Sequence, residues 1–194
     1  MSIRQEKQAM RTHVLQRRQA LTPAGVTASS MEIVRHLETL PPLQQAQTVG
    51  LYAPILQEVD PTALRDILLL RGVRLLYPRV NPEGGFPRLE LAIASSSDDL
   101  HPGYRGIPEP QGAEVPATEM DVLLAPGIAF DAQGGRLGYG GGSYDELIQR
   151  MRKDAVVIGL AHAFQVMAEL PCEEHDQRVH AVATPSGVHR CPSA

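Results

Sequence analysis

Apolar positions over the first forty residues recur at helical spacing. From about residue 2 to 20, Ile3, Met10, Val14 and Leu21 fall on one stripe, which predicts an amphipathic helix. Arg4, Lys7, Arg11 and Arg18 make a second stripe beside it, composed only of cations. Thr22 and Pro23 then give a start signal, a capping hydroxyl followed by proline at the first helical position. A second helix should bury Val26, Ile33, Leu37 and Leu40 and end at Pro41-Pro42.

The pattern next changes to short apolar runs separated by proline and glycine. Strands are predicted over 48–52, ending at Pro54; over 73–77, ending at Pro78; over 88–94, at an edge; and over 121–125, ending at Pro126. Further strands fall at 155–161 and 179–184, and helices at 61–70, with Asp60 as cap, and at 144–151. Asn81-Pro82-Glu83-Gly84-Gly85 reads as a turn. Residues 95–119 are polar and proline-punctuated, a length of loop that is usually functional or mobile. Strands alternating with helices imply an α/β domain with a mostly parallel sheet covered on both faces. Ligands of such sheets bind beyond the carboxyl ends of the strands, so chemistry is sought just after them.

Composition narrows the classes. The chain has 194 residues, 43% hydrophobic and 21% charged, an ordinary soluble composition for one domain spanning 1–194. A formal charge of −4 argues against a general nucleic-acid binder. No apolar run approaches a membrane span, and MSIRQEKQAMR lacks the apolar core of a secretory signal. Cys172 and Cys191 are too few for a disulfide framework. The expectation is a cytoplasmic protein with two reduced thiols, a monomer or weak homodimer.

The strongest local signal is the run from Gly134 to Asp145, Gly-Gly-Arg-Leu-Gly-Tyr-Gly-Gly-Gly-Ser-Tyr-Asp, between a strand and a helix. Glycines let successive N–H groups approach and cradle an anion, and Arg136 adds a charged fork. The run is neither a P-loop nor a dinucleotide fingerprint. Asp145 has two readings. Spacing alone favours a first-turn carboxylate, with Ser143 and Glu146 as a capping box; the other is a ligand of Mg²⁺. Lys7 and Arg11, four apart, either reach a phosphate together or form a solvated basic face. Glu58 either accepts two N–H donors of a heterocycle or starts the helix after Asp60-Pro61. Cys172, His175, Asp176 and His180 do not have zinc-site spacing, and His162 reads as a satisfied core histidine.

In order along the chain come a K-x-x-x-R helix at Lys7 and Arg11, Glu58-Val59-Asp60, Tyr77-Pro78-Arg79 and Gly106-Ile107-Pro108-Glu109-Pro110. Then follow 121–127, Phe130-Asp131, Arg136 to Gly142, Tyr144-Asp145, Leu170-Pro171 and His175-Asp176. This ordered set, from about residue 7 to 188, resembles the 5-formyltetrahydrofolate cyclo-ligase family. The resemblance implies a three-layer αβα sandwich, with a helical pair at about 2–40 packed on it. It also implies an enzyme that converts 5-formyltetrahydrofolate and ATP to 5,10-methenyltetrahydrofolate, ADP and phosphate.

By motif position, Lys7, Arg11 and Arg136 would be catalytic and, with Gly138, Tyr139, Gly140, Gly141, Gly142, Ser143 and Tyr144, would hold ATP. Asp145 and Asp176 would serve Mg²⁺, and Glu58, Ile55 and Tyr104 would contact the folate. Lys7 and Arg136 are expected to be exposed, so that their loss would impair ATP use far more than stability. The chain departs from the family pattern at Ser143, where many members carry tyrosine, at Arg105 and at His180. Two rival readings are another phosphate-using enzyme on the same fold and a non-catalytic folate- or nucleotide-binding regulator.

Overall fold

A computed structural model describes residues 2–81 and 88–192; the turn expected at 81–85 therefore lies largely outside the described residues. Ser2 caps the first helix, α1 (Ile3–Gln19), through a reciprocal pair of bonds with Gln5. Thr22 accepts the Gly25 N–H and Pro23 opens α2 (Pro23–Glu38), as the sequence predicts. Pro41-Pro42 does more than stop that helix. With their φ preset and no N–H needed in a first turn, they begin a short helix, α3 (Pro41–Gln45).

The rest of the chain runs β1 (Thr48–Gly50), α4 (Thr62–Leu70), β2 (Arg74–Asn81), β3 (Arg88–Ile93), β4 (Leu100–Pro102), β5 (Pro108–Pro110) and β6 (Val122–Ala125). It continues with β7 (Ala129–Asp131), β8 (Arg136–Leu137), α5 (Ser143–Gln149), β9 (Val156–Leu160), β10 (Val166–Met167), β11 (Ala181–Thr184) and β12 (Gly187–Arg190). Seven strands form the main sheet in the order β12-β11-β9-β6-β1-β2-β3. The inner five are parallel; β12 and β3 close the two edges antiparallel.

Side-chain alternation sends neighbouring residues to opposite faces. Leu75, Leu124, Ile158 and Ala183 join Ile33 and Leu37 of α2 and Leu64 and Leu68 of α4. Leu76, Leu123, Val157 and Val182 join Leu147 of α5, Met120 and Phe130. Helices thus cover both faces, which a parallel sheet requires. A third cluster joins Val14 of α1 to Ile128, Ala129, Leu137 and Leu170, docking α1 on the small sheet β10-β7-β8.

Three details differ from the sequence expectation. β2 continues through Pro78 to Asn81. The carbonyl of Leu76 and the N–H of Val80 both point away from β3, so alternation turns residue 78 the same way, where β1 has already ended. No ladder bond is lost, and proline is tolerated. The 95–119 stretch is not structureless, because β4 and β5 pair within it. Finally, β7, β8, β10 and β12 were not predicted, being too short or too polar to be read from periodicity.

The strand order also fixes where a ligand belongs. From β1 the chain winds one way to β2 and β3, then returns to the other side of β1 with β6, β9 and β11. The switch point lies between the carboxyl ends of β1 and β6, the place where open α/β sheets bind ligands. Phe130 fills the space beneath it, its ring lying where a Cβ at Gly127 or Gly159 would stand. Gly159→Ala is therefore expected to destabilise the fold by about 1–3 kcal/mol through overpacking. Thermal denaturation checks it, and Phe130→Leu should offset part of the loss in the double variant.

Candidate active site

The segment after β1 makes an unusual turn. Glu58 N–H bonds the Ile55 carbonyl at 3.0 Å, with Leu56 and Gln57 both in the left-handed region at φ 48° and 56°. Two consecutive non-glycine residues there are strained and need support from around them. Glu58 Oε2 accepts the Ile55 N–H at 3.0 Å. His162 Nε2 donates to the Gln57 carbonyl at 3.0 Å, and Nδ1 meets the Ser29 hydroxyl at 2.7 Å. Burial lowers the His162 pKa, so the ring is neutral, with Nε2 carrying the proton and Nδ1 accepting. Ser30 adds a bond to the Asp60 N–H at 2.9 Å, and Tyr52 donates to the Val59 carbonyl at 2.7 Å.

The turn delivers Glu58, 5% exposed, to the switch point. Its Oε1 accepts the Tyr139 hydroxyl at 3.0 Å and lies 3.8 Å from Arg18 Nη1. Burial pushes the carboxyl above its usual range, although the Ile55 N–H, Arg18 and Tyr139 each pull it back. Burial and the nearby Glu58 charge push the Tyr139 phenol up to about 12. Ile55 is half-buried in the same turn.

The glycine run follows β7. Buried Asp131 fixes its start, accepting Gln133 and Gly135 N–H groups at Oδ1 and Leu170 N–H at Oδ2, all within 2.9 Å. Arg136 then donates to Asp145 Oδ1 at 3.0 Å, and its guanidinium lies 5.4 Å from the Tyr144 ring centre. Arg11 Nε donates to the Gly138 carbonyl at 2.8 Å. Gly140 (φ 100°) and Gly142 (φ 68°) take conformations that a side chain would strain. Gly142, rather than Ser143, is the N-cap of α5, and no side chain caps it. The Ser143–Glu146 capping box is thus corrected; the backbone has already turned left-handed one residue earlier, and Glu146 faces Arg88 and Arg150.

Lys7 closes the cluster. Its ammonium bonds Asp176 at 2.5 Å and Glu173 at 2.7 Å. Asp176 also accepts the Glu173 N–H at 2.7 Å, and Asp145 accepts the Gln177 N–H at 3.1 Å. Glu173, His175 and Asp176 place their ligand atoms within 4.8 Å of one another. That set replaces the Cys172–His180 combination considered from the sequence: Cys172 is exposed, and His180 Nδ1 is bonded to the Val157 N–H within the sheet.

Glu58, Tyr139, Arg11, Arg136, Asp145, Lys7 and Asp176 are therefore brought together by side-chain bonds and the one glycine run. Tyr104 is not joined to them. It is partly exposed in the turn between β4 and β5, and its ring contact is with Arg105 at 5.1 Å. Lys7 and Arg136 are not exposed, as the sequence suggested, but 7% and 8% exposed. Each lies against its own carboxylate partner. Clefts elsewhere, beside Arg88 and Arg150 and beside Pro41 and Arg152, include none of these residues. Charge and loop geometry, more than the depth of a cavity, distinguish the site.

The 5-formyltetrahydrofolate cyclo-ligase family model matches residues 3–185. The chain belongs to this family. The Escherichia coli (strain K12) 5-formyltetrahydrofolate cyclo-ligase is 34% identical over 179 residues, covering 90% of this chain and 98% of the relative. The Mycolicibacterium smegmatis protein of the same name is 34% identical over 184 residues, 92% of this chain and 93% of its own. Among solved structures, Aquifex aeolicus 5,10-methenyltetrahydrofolate synthetase aligns with TM-score 0.82 at 33% identity, over 97% of this chain and 94% of that one. Membership makes the chain a ligase forming a C–N bond and concerned with folate one-carbon chemistry.

One member of the cluster was missed as a site residue. Arg18 was read only as part of the cation stripe, yet it is 1% exposed and contacts Tyr139 and Gly127. Its signal was its place four residues after buried Val14, which puts a cation on the apolar face. His162, Ser29 and Glu173 had no comparable signal, since their partners come from distant segments.

The Lys7 cluster yields a pH-dependent prediction. For Lys7, burial alone would lower the pKa, but the bonds to Asp176 and Glu173 raise it above 10.5. For Asp176, burial would raise it, but Lys7 and the Glu173 N–H hold it below 3.8. The Asp176 contribution to stability is lost as pH falls through its depressed value, and that of Lys7 as pH rises through its raised one. Lys7→Met should cost about 1–2 kcal/mol near neutrality, about 2–8 °C in Tm. The difference from wild type should vanish toward pH 2. Equal Tm values at pH 7, or a difference that persists in acid, would refute this.

Proposed function

We propose that this cyclo-ligase family member converts 5-formyltetrahydrofolate and ATP to 5,10-methenyltetrahydrofolate, ADP and phosphate. The observation that carries the reading is the continuity between Glu58 and the cationic glycine loop at the switch point. A group recognised by the carboxylate would lie beside a polyphosphate held by Lys7, Arg11 and Arg136. In this reading Glu58 accepts N–H donors on the pterin edge, with Ile55 and Tyr104 as further folate contacts. The loop N–H groups from Gly138 to Tyr144 and the three cations hold the phosphates. The formyl oxygen attacks the γ-phosphorus and ADP leaves. N10 then adds to the activated carbon, loses its proton, and the phosphate departs with its oxygen. Such transfer asks the protein mainly for orientation and charge neutralisation.

The residues present fit Mg²⁺. Asp176 and Glu173 offer hard carboxylate oxygens close together, and Asp145 accepts the N–H of Gln177, the residue following Asp176. We assign Asp145 and Asp176 to the ion, directly or through water; when bound it would neutralise phosphate oxygens. Lys7 and Arg136, which bond these two carboxylates in the structure, would then turn to the nucleotide. A regulator that binds without turnover is disfavoured because every charged group the reaction asks for is present in one cluster.

The direct test follows the near-ultraviolet absorbance of 5,10-methenyltetrahydrofolate from 5-formyltetrahydrofolate, with and without ATP and Mg²⁺. Turnover should require both. Asp176→Asn and Asp145→Asn should each raise the Mg²⁺ needed for half-maximal rate at least about tenfold, the loss of one charged ligand. An unchanged Mg²⁺ titration in both would remove these residues from the metal site.

A further inference from the structure

Arg18 stands in the last turn of α1, 1% exposed, its charge removed from bulk solvent. A buried guanidinium is costly unless its partners are well placed, and here Nε has no hydrogen-bond partner among the described residues. An apolar side chain four residues beyond Val14 would complete the stripe without that cost. What the arginine does there is directional. Nη1 donates to the Gly127 carbonyl at 3.3 Å, and Nη2 donates to the Tyr139 hydroxyl oxygen. Arginine has donors only. The Tyr139 proton is therefore turned away from Arg18, and its acceptor is Glu58 Oε1 at 3.0 Å.

The chain of donors runs one way, from guanidinium to phenol to carboxylate. With Ile55 N–H on Oε2, it fixes the plane of the carboxyl group and engages one lone pair on each oxygen. The second lone pair of each remains for a pair of N–H donors from a heterocycle. Because Tyr139 belongs to the glycine loop, the same bond seats that loop against Glu58.

We propose that Arg18, acting through the Tyr139 hydroxyl, is the positioning residue that orients Glu58 and keeps it ionised for recognition of the folate. This deepens the function proposed above and rests on its assignment of Glu58. The groups around Glu58 leave Arg18 as the charge that opposes burial. Tyr139 from the loop, Tyr52 from its own segment and Tyr144 from α5 are neutral phenols, their pKa values all raised. His162, after β9, is neutral, its pKa lowered by burial. Asp60, on the same segment, is an acid.

The test uses the full chain, with steady-state kinetics at saturating ATP and Mg²⁺ across pH 5–8. Arg18→Met and Tyr139→Phe should each raise KM for 5-formyltetrahydrofolate about tenfold, the loss of a charge-linked hydrogen bond. In Arg18→Met, which leaves every residue assigned to the phosphates in place, KM for ATP should move less than KM for the folate. The acid limb of kcat/KM for the folate should shift to higher pH in both, because an unsupported Glu58 protonates more readily; a merely structural defect would lower the active fraction and leave that limb in place. Glu58→Gln should raise the folate KM and abolish the limb, and adding Arg18→Met to it should raise KM no further.

If Arg18→Met does not fold, Tyr139→Phe, at a residue 46% exposed, breaks the same link and decides the matter. A raised folate KM in Glu58→Gln with an unmoved acid limb in the Arg18 and Tyr139 variants overturns the role of Arg18 alone. An unchanged folate KM in Glu58→Gln overturns the assignment of Glu58, and this proposal with it.

Discussion

The Glu58 carboxylate is the constraint on which the site depends. Few groups are harder to bury, and at 5% exposure it is held by an N–H of its own turn, a phenol from the glycine loop and a guanidinium from α1. Each bond fixes a segment that periodicity alone leaves free. The turn at 55–58, with two left-handed residues, keeps its shape because Glu58 closes it from inside and His162 holds it from outside. The docking of α1 adds Arg18 to the apolar contacts of Val14. A single carboxyl group thereby ties together the first helix, the loop after β1 and the loop after β7.

How much of this was legible follows from the range of each interaction. α1, α2 and α4 were readable because apolar spacing is local, and the start of α2 because Thr22 bonds Gly25; at α4 Pro61, not Asp60, is the N-cap, although Asp60 still accepts the Thr62 N–H. The inner strands were readable because burial on both faces makes continuous apolar runs. Pro78 misled because its place in the ladder depends on where β1 stops, a fact carried by another segment. The glycine run announced a close approach of backbone to something, and Gly140 and Gly142 do adopt the left-handed conformations that only such a run supplies cheaply. Ser143 looked like a cap because the pattern S-x-x-E carries no information about the backbone angle of the residue before it.

The cations show the opposite limit. Spacing placed Lys7, Arg11 and Arg18 on one side of α1, but not whether that side met water. Lys7 and Arg18 are inside because their partners, Asp176 and Glu173 for one and Tyr139 and Gly127 for the other, arrive from more than a hundred residues away. Solvent exposure of a long charged side chain is decided by such partners, and no local pattern reports them.

Charge balance within the cluster bears on how a polyphosphate enters it. Lys7, Arg11, Arg18 and Arg136 stand among Glu58, Asp145, Glu173 and Asp176, so cations and carboxylates match in number. A neutral cluster exerts little long-range pull on a polyanion, and its cations are already engaged. A divalent ion arriving with the nucleotide, as the proposed reaction requires, would change that state. In the function proposed above, carboxylates that took the ion would release Lys7 and Arg136, leaving their charges free for the phosphates within the same small volume. Arg18 would be exempt from this exchange because it donates to the Tyr139 hydroxyl and the Gly127 carbonyl, and the carboxylate it faces, Glu58, is not one assigned to the metal. That difference would separate the cations proposed to move to the nucleotide from the one proposed to stay and orient Glu58.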